Sequence, residues 1–253
     1  DWLVAHPLHR IRPRHAAGKT PPDAFAGVIT GLEPGTAYEV EVTVKLGEAT
    51  ATRKLSAATR PIPPKAGPPT KTIPAGATSA QIQSVFDQAV PGDVIQFANG
   101  TYAVDKLQIR KGGTEEKPVI IRGETRDGVV LKDPSGMIIQ VLSVSDVIIE
   151  NLTLEGSKTD SGTAASSHGI NFWNGGQPQK RITMRNLTIS GVDMGIVASG
   201  YTEQLMVYDN TLIGNNVWEK DFLETNRTWN DDGIRIPGSG NVAFNNTLSG
   251  LSL

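Results

Sequence analysis

The sequence predicts an all-β protein in which a solenoid of stacked coils follows an incomplete β-sandwich. Three observations support this fold class. After residue 93, short β-branched segments alternate with turns, and no helical pattern intervenes. Ten-residue segments with a central asparagine recur along the second half of the chain, which is typical of a repeat architecture. A proline-rich segment over 60–69 separates these repeats from an N-terminal part of different composition.

The composition excludes several classes of function. The 253 residues carry 24 Lys and Arg against 26 Asp and Glu, and this balance argues against a nucleic-acid-binding protein that works by neutralising phosphates. No apolar run reaches the ~18 residues of a membrane span, so we expect no membrane-spanning segment. The absence of Cys excludes a disulfide framework, a Cys-ligated metal and a thiol nucleophile.

The chain divides into two parts by composition. Of the 16 Pro, 11 lie at or before Pro74, whereas all 13 Asn lie at or after Asn99. Repeated prolines remove backbone donors and favour an extended spacer. We therefore predict a sandwich-like domain over 1–60, a linker over 61–75 and a solenoid over 76–253.

The N-terminal part contains one strand of alternating polarity, and its apolar positions are Tyr38, Val40, Val42 and Val44. The turn 34–36 followed by Tyr38 resembles the corner before strand F of a fibronectin type III domain, in which the tyrosine hydroxyl binds the upstream backbone. The resemblance implies strand E at 25–29 and strand G at 51–59. Such a sandwich needs about 100 residues, so we expect earlier strands before Asp1, or another chain, to cover its inner face.

The solenoid is predicted to begin with a short cap helix. Thr78 or Ser79 can cap its N-terminus, and Pro91-Gly92-Asp93 ends it. Its residues Ile82, Val85, Phe86 and Ala89 form one apolar stripe.

The repeat itself favours a solenoid over a barrel or a second sandwich. The segment 147–156 is echoed by 182–191, and looser copies lie at 206–214 and 242–250. Their asparagines, Asn151, Asn186, Asn210 and Asn246, are separated by steps of 35, 24 and 36 residues. These steps predict a coil of about 24 residues with loops inserted in alternate coils. We expect the four asparagines to stack in one file, an asparagine ladder, and to share hydrogen bonds.

Three segments of the first coils resemble a known family. Residues 80–93, 97–102 and 112–123 are similar to the cap helix and opening coils of polysaccharide lyase family six, the chondroitinase B and alginate lyase group. The resemblance covers about residues 75–250 and implies a right-handed parallel β-helix. It also implies β-elimination on uronate polymers by a Lys base and an Arg partner, with calcium held by Asn and Glu side chains. The Lys-Ser and Arg motifs of that family have no match here, and we expect further coils after Leu253.

A second recurrence places polar residues on one edge of the solenoid. The segments 168–170, 194–196 and 232–234 have the pattern of equivalent strand starts in three successive coils. Stacking then places Asp193 and Asp231 about 4.8 Å apart on adjacent rungs. Two carboxylates at that separation can share a cation or divide acid and base roles. Alternatively, Asp before Gly only stabilises stacked turns.

The candidate catalytic residues are His168, Asp193, Asp231, Asp232 and Arg235, and Asp193 with Asp231 is the candidate calcium site. The imidazole of His168 suits general-base work at neutral pH, and the guanidinium of Arg235 can neutralise an anionic sugar. A lone His in a loop is also often incidental.

Two inserted stretches, 156–167 and 215–230, are predicted to project from one side and wall a groove. Trp173, Trp218 and Trp229 lie in or beside them and are the candidate substrate-binding residues, because exposed rings can stack on sugar faces. The alternative is that each ring packs its own loop onto the coil.

Two hypotheses for function follow. In the first, a secreted extracellular or cell-surface protein binds an acidic, uronate-containing polysaccharide along the strand face and cleaves it by β-elimination; a hydrolase using the two aspartates and an epimerase are variants. In the second, the solenoid is a rigid rod in a non-catalytic adhesin or fibre component, and its open domain ends mediate self-assembly.

Overall fold

The computed structural model describes residues 2–11, 24–133, 136–157, 167–173, 175–198, 200–214 and 233–250. The chain divides into two compact units, 1–64 and 65–253. The division lies inside the proline-rich segment. No helix in the described ranges is long and apolar enough to cross a membrane.

The N-terminal unit consists of two antiparallel strand pairs. Its strands are β1 (His9–Ile11), β2 (Ala24–Ala26), β3 (Ala37–Leu46) and β4 (Ala49–Ala58). Strand β1 pairs with β2, and β3 forms a hairpin with β4 along its whole length. The turn of this hairpin contains Gly47 at φ +61°, a conformation that glycine adopts without steric cost.

The tyrosine contact expected from the fibronectin resemblance is present. The Tyr38 hydroxyl accepts a hydrogen bond from the backbone N–H of Glu33 at 2.8 Å. Tyr38, Val40 and Val42 are half-buried on one face of β3, but none of the described residues of this unit is buried. The assignment to a fibronectin type III domain stays a prediction.

The second unit contains the cap helix and a long series of short strands. The helix α1 spans Ser79–Asp87. The strands are β5 (Lys71–Ile73), β6 (Val94–Phe97), β7 (Gly100–Ala103), β8 (Leu107–Ile109), β9 (Val119–Gly123), β10 (Val129–Asp133), β11 (Met137–Leu142), β12 (Val147–Glu150), β13 (Thr153–Gly156) and β14 (His168–Trp173). They continue with β15 (Gln179–Lys180), β16 (Ile182–Arg185), β17 (Thr188–Ser190), β18 (Met194–Val197), β19 (Thr202–Glu203), β20 (Met206–Tyr208), β21 (Thr211–Ile213), β22 (Ile234–Arg235), β23 (Val242–Phe244) and β24 (Thr247–Ser249).

Three sheets wind around one core. Their strand orders are β24-β21-β17-β13-β10-β7, β22-β18-β14-β11-β8 and β23-β20-β16-β12-β9-β6-β5. All pairings within these sheets are parallel. Successive coils therefore add one strand to each sheet, which is the topology of a parallel β-helix. The predicted all-β solenoid is confirmed.

The core is built from columns of apolar side chains that point inward from successive coils. In the five-stranded sheet, the column is Leu107, Ile139, Ile170, Ile196 and Ile234, and the first four of these side chains are fully buried. Each coil covers the apolar surface of the previous one, so burial accumulates along the stack.

The cap helix closes the first coil in the predicted manner. Thr78 is its N-cap, and a reciprocal pair of hydrogen bonds with Gln81 forms a capping box. Ile82 and Phe86 of the helix are buried, and the Phe86 ring meets Phe97 edge to face at 6.1 Å.

The corner between the seven- and six-stranded sheets corrects the predicted asparagine file. In the register, Glu150 lies beside Arg185, and Arg185 lies beside Tyr208, so Asn186 is level with Asp209 rather than with Asn210. The left-handed corner positions are Asn151, Asn186, Asp209 and Asn245, with φ of 55°, 51°, 57° and 51°. Asn and Asp tolerate this conformation better than other residues with a Cβ.

Two separate amide pairs replace the single file. Asn186 Nδ2 donates to Asn151 Oδ1 at 2.6 Å, and one position further along the corner Asn210 Nδ2 donates to Asn246 Oδ1 at 2.9 Å. The expectation of one four-membered file is therefore wrong by one residue in the last two coils. In the observed register, the two looser repeats begin at Leu205 and Asn241. The sequence comparison began them one residue later, at Met206 and Val242.

Candidate functional site

The described members of the predicted site lie on the five-stranded sheet. His168 and Trp173 are the first and last residues of β14, Asp193 precedes β18, and Arg235 ends β22. Four other predicted residues, Asp231, Asp232, Trp218 and Trp229, lie outside the described residues. So do most of the two predicted loops, since 158–166 and 215–232 are not described.

A column of glycines explains why the three strand starts share one pattern. Ile170, Ile196 and Ile234 are in register, which confirms the predicted equivalence of the three segments. A Cβ on Gly169 would lie 2.6 Å from the carbonyl oxygen of Gly195, and a Cβ on Gly195 would lie 2.5 Å from that of Gly233. The coils approach too closely here for any side chain.

Asp193 joins two coils through Ser167. Its Oδ2 accepts hydrogen bonds from the backbone N–H and the hydroxyl of Ser167 at 2.8 and 3.0 Å, and the Asp193 N–H donates to Ser167 Oγ at 3.0 Å. Asp193 is only 7% exposed. Its carboxylate is thus committed to a bridge between rungs, which is the structural alternative raised by the sequence.

His168 and Arg235 lie on the same sheet but at different places. His168 is half-buried and pairs with Met137 and Met194 in the neighbouring strands. Arg235 is exposed, pairs with Val197, and carries its Nη2 3.9 Å from the sulfur of Met194. The register separates their backbones by two rungs, about 10 Å, and by three positions along the strand. The two groups therefore lie at different positions on the sheet, and their catalytic roles stay predictions.

The described residues do not form a calcium cage. Within them, no three His, Asp or Glu side chains lie close enough together to hold a metal ion. The Asp193 carboxylate is buried and already accepts two hydrogen bonds from Ser167. Asp231, the second predicted ligand, lies outside the described residues, so the calcium site stays a prediction.

A column of mostly polar side chains that was not predicted from the sequence lies on the outer face of the seven-stranded sheet. Register places Gln96, Arg122, Glu150, Arg185, Tyr208 and Phe244 on successive rungs. Arg185 Nε donates to Glu150 at 2.6 Å, and its Nη1 donates to the Tyr208 hydroxyl at 2.9 Å. Tyr208 stacks on Phe244 with 4.9 Å between ring centroids. The alignment of segments 147–156 and 182–191 already places Glu150 level with Arg185, so this pair could have been found.

The environment of Arg185 keeps it charged. Burial by itself lowers the pKa of Arg185, but the hydrogen bonds with Tyr208 and Glu150 and the negative charge of Glu150 outweigh burial and raise that pKa. The side chains of Arg185 and Glu150 are 13% and 9% exposed. A hydrogen-bonded ion pair this well covered fits a structural tie more closely than a proton-transfer site.

Comparison with known proteins identifies the fold. The family model described as chondroitinase B matches residues 76–157. The crystal structure of alginate lyase from Paenibacillus sp. str. FPU-7 superposes with a TM-score of 0.51 at 18% sequence identity, covering 72% of this chain and 68% of that chain. The second unit is a lyase-like parallel β-helix. No curated protein matches the chain.

The family match covers the opening coils and not the predicted site. It ends at residue 157, before His168, Asp193 and Arg235. The strand topology and the comparisons both support the parallel β-helix. The roles of individual residues depend on their geometry alone.

Proposed function

We propose that this protein acts outside the cell on an acidic, uronate-containing polysaccharide and cleaves it by β-elimination. The observation that carries the proposal is the chondroitinase B match over the cap helix and opening coils of a lyase-like β-helix. Chondroitin and alginate are both uronate polymers. Since one fold can host unrelated functions, the shared coils support this substrate class only as a proposal, which activity on uronate polymers tests directly.

The reaction transfers a proton from C5 of a uronate to a general base and breaks the bond from C4 to the glycosidic oxygen. The electron pair left on C5 forms a double bond with C4, and the leaving oxygen takes up a proton. A cation beside the carboxylate stabilises the carbanion that develops at C5. Arg235 supports this chemistry because its guanidinium is exposed and can bind a carboxylate in two-point contact.

The register limits how His168 and Arg235 can cooperate. The C5 proton and the carboxylate belong to the same sugar, whereas the two residues lie two rungs apart. In this proposal, Arg235 binds the carboxylate of one sugar, and His168 contacts a different one. The buried Asp193, bound to Ser167, favours elimination over a hydrolase that would need it as a free acid or base.

The test uses the full chain with alginate and with chondroitin, with and without added calcium. We expect the ultraviolet absorbance of unsaturated uronate to rise together with new reducing ends. Arg235→Gln should slow this rise, whereas Lys132→Gln, an exposed cation paired with Glu155 on the six-stranded sheet, should not.

Two results would contradict elimination. Reducing ends without the absorbance would indicate hydrolysis. If neither signal appeared on any uronate polymer with calcium supplied, the non-catalytic reading would replace the enzymatic one.

A further inference from the structure

The outer face of the five-stranded sheet carries a column of side-chain amides. Gln108, Gln140 and Asn171 occupy adjacent rungs in the register of β8, β11 and β14. Each follows a buried core residue of the same strand, so it points away from the core. All three residues are half-buried, so part of each remains in contact with solvent.

Hydrogen bonds orient this column in one direction. Asp87 accepts from Arg110 Nη1 at 3.1 Å, and Arg110 Nη2 donates to the side-chain oxygen Oε1 of Gln108. Gln108 Nε2 in turn donates to the side-chain oxygen Oε1 of Gln140 at 2.7 Å. Charged groups at one end strengthen and fix such a chain. Among the described residues, the Gln140 amide N–H and the Asn171 amide have no further partner. The fixed chain thus ends at the side-chain N–H of Gln140, and the Asn171 amide lies on the adjacent rung.

An exposed aromatic ring lies beside the end of the column. Trp173 is two residues after Asn171 on the same face of β14, and it is 63% exposed. On the preceding rung, β11 places Leu142 beside Trp173. An indole with this exposure does not pack its own loop onto the coil, so the packing alternative raised by the sequence does not apply to Trp173.

We infer that Gln108, Gln140, Asn171 and Trp173 form a glycan-binding subsite in which the sugar chain runs across the strands, along the axis of the solenoid. Amide groups offer donors and acceptors to sugar hydroxyls, and the indole covers an apolar sugar face. Rungs spaced about 4.8 Å apart come close to the length of one pyranose unit, so successive sugars can meet successive rungs. Two rungs beyond Asn171, the column reaches Arg235, a cation for the carboxylate of an acidic chain.

This inference rests on the proposed function for the acidic character of the ligand, but binding and cleavage can be measured separately. Size-defined uronate oligosaccharides are titrated into the full chain by calorimetry, and the absorbance assay is run on the same samples. Trp173→Ala is expected to weaken binding about tenfold and Asn171→Ala about threefold. Affinity is expected to increase with oligosaccharide length until the chain spans the column.

Matched controls lie on other surfaces. Trp2 is 59% exposed in the N-terminal unit, and Thr188 is half-buried on the outer face of the six-stranded sheet. Trp2→Ala and Thr188→Ala should leave the affinity unchanged. Circular dichroism of each variant verifies that it is folded.

The outcomes separate the subsite from the catalytic proposal. Binding that is lost in Trp173→Ala, without any absorbance rise in the wild type, supports the subsite and overturns the lyase. Cleavage with equal affinity in wild type, Trp173→Ala and Asn171→Ala overturns the subsite and leaves the lyase standing. Absence of binding to every uronate oligosaccharide overturns the subsite.

Discussion

At the scale of single residues, the polar groups between coils act mainly as ties. Asp193 accepts hydrogen bonds from Ser167 in the preceding coil, and Glu150 pairs with Arg185 on the neighbouring strand. A polar group buried in a stack of coils is costly unless it has a partner, and register supplies one on the adjacent rung. These residues therefore contribute to stability through contacts that a substitution can remove one at a time.

The first prediction concerns Asp193. Asp193→Ala should lower the free energy of unfolding by about 2–3 kcal/mol, because two hydrogen bonds to a carboxylate are lost and Ser167 is left buried. Asp193→Asn keeps an acceptor oxygen and should lose less. Urea denaturation measures both. Unchanged stability combined with loss of glycan cleavage would instead assign Asp193 to the reaction.

The second prediction concerns the pH dependence of stability and Asp93, which links β5 to β6 through contacts with Lys71 and Thr70. Burial alone would raise the pKa of Asp93, but the hydrogen bonds from Lys71, the Val90 N–H and Thr70, with the charge of Lys71, outweigh it and hold that pKa below the ordinary 3.8. The resulting stability is present above pH 3.8 and is lost as pH falls through the lower folded pKa.

Measurement of unfolding free energy from neutral pH down to the acid range checks this. Lys71→Met should make the loss of stability on acidification shallower. Asp127→Asn is the control, since the side chain of Asp127 is 80% exposed beside Arg126. An acid profile that Lys71→Met leaves unaltered would show that Asp93 does not contribute to it.

At the scale of secondary-structure elements, close approach between coils and charge pairing across strands fix the register. The glycine column of Gly169, Gly195 and Gly233 lets β14, β18 and β22 stack closely and in register. On the seven-stranded sheet, the ion pair between Glu150 and Arg185 fixes the register of β12 and β16. A one-residue slip would break both sets of contacts and turn core side chains outward.

The third prediction is a substitution in the glycine column. Gly195→Ala places a methyl group against the Gly233 carbonyl oxygen and the Leu212 side chain, so it should cost about 1–3 kcal/mol of unfolding free energy. Gly136→Ala is the matched control, because a Cβ there meets nothing within 4 Å. Thermal unfolding compares the two variants. Equal stabilities would mean that the coils can separate at no cost.

The fourth prediction concerns the buried ion pair. Glu150→Gln should destabilise the protein by about 3–5 kcal/mol, because the Arg185 charge is left covered without its counter-ion. Replacing both residues by Leu should cost less than the single change, since no buried charge remains. Urea denaturation of the single and double variants tests this. A double variant less stable than Glu150→Gln would contradict it.

At the scale of the whole molecule, burial differs sharply between the two units. The solenoid contains a continuous buried core from Ile73 to Leu212, whereas none of the described residues of the N-terminal unit is buried. Hydrophobic burial is the main stabilising contribution to folding. We therefore expect the second unit to fold by itself and the first to depend on further contacts.

The fifth prediction follows from this difference. A polypeptide of residues 65–253 should retain a β-type circular dichroism spectrum and a cooperative thermal transition. Residues 1–64 alone should show no cooperative transition. Cooperative unfolding of the isolated 1–64 polypeptide would show that its exposed apolar residues find partners within it.

The sequence predicted the elements of the solenoid better than its register. The cap helix, the glycine-containing strand starts and the coil repeat are local patterns, and the structure shows each of them. The predicted asparagine file was displaced by one residue in the last two coils. Asp209 and Asn210 are adjacent, and residue type alone does not show which of them is level with Asn186. The catalytic roles of His168 and Arg235 stay predictions, because residue type and strand position do not show which side chains meet one sugar.

The sequence alone therefore determined that apolar β-segments repeat and must stack, since no single coil can bury its own apolar face. The tertiary structure alone decided which outward side chains share a column. Gln108 and Gln140 are 32 residues apart and in contact, because loops of unequal length between coils shift the sequence spacing while the hydrogen-bonded strands keep one rung of separation.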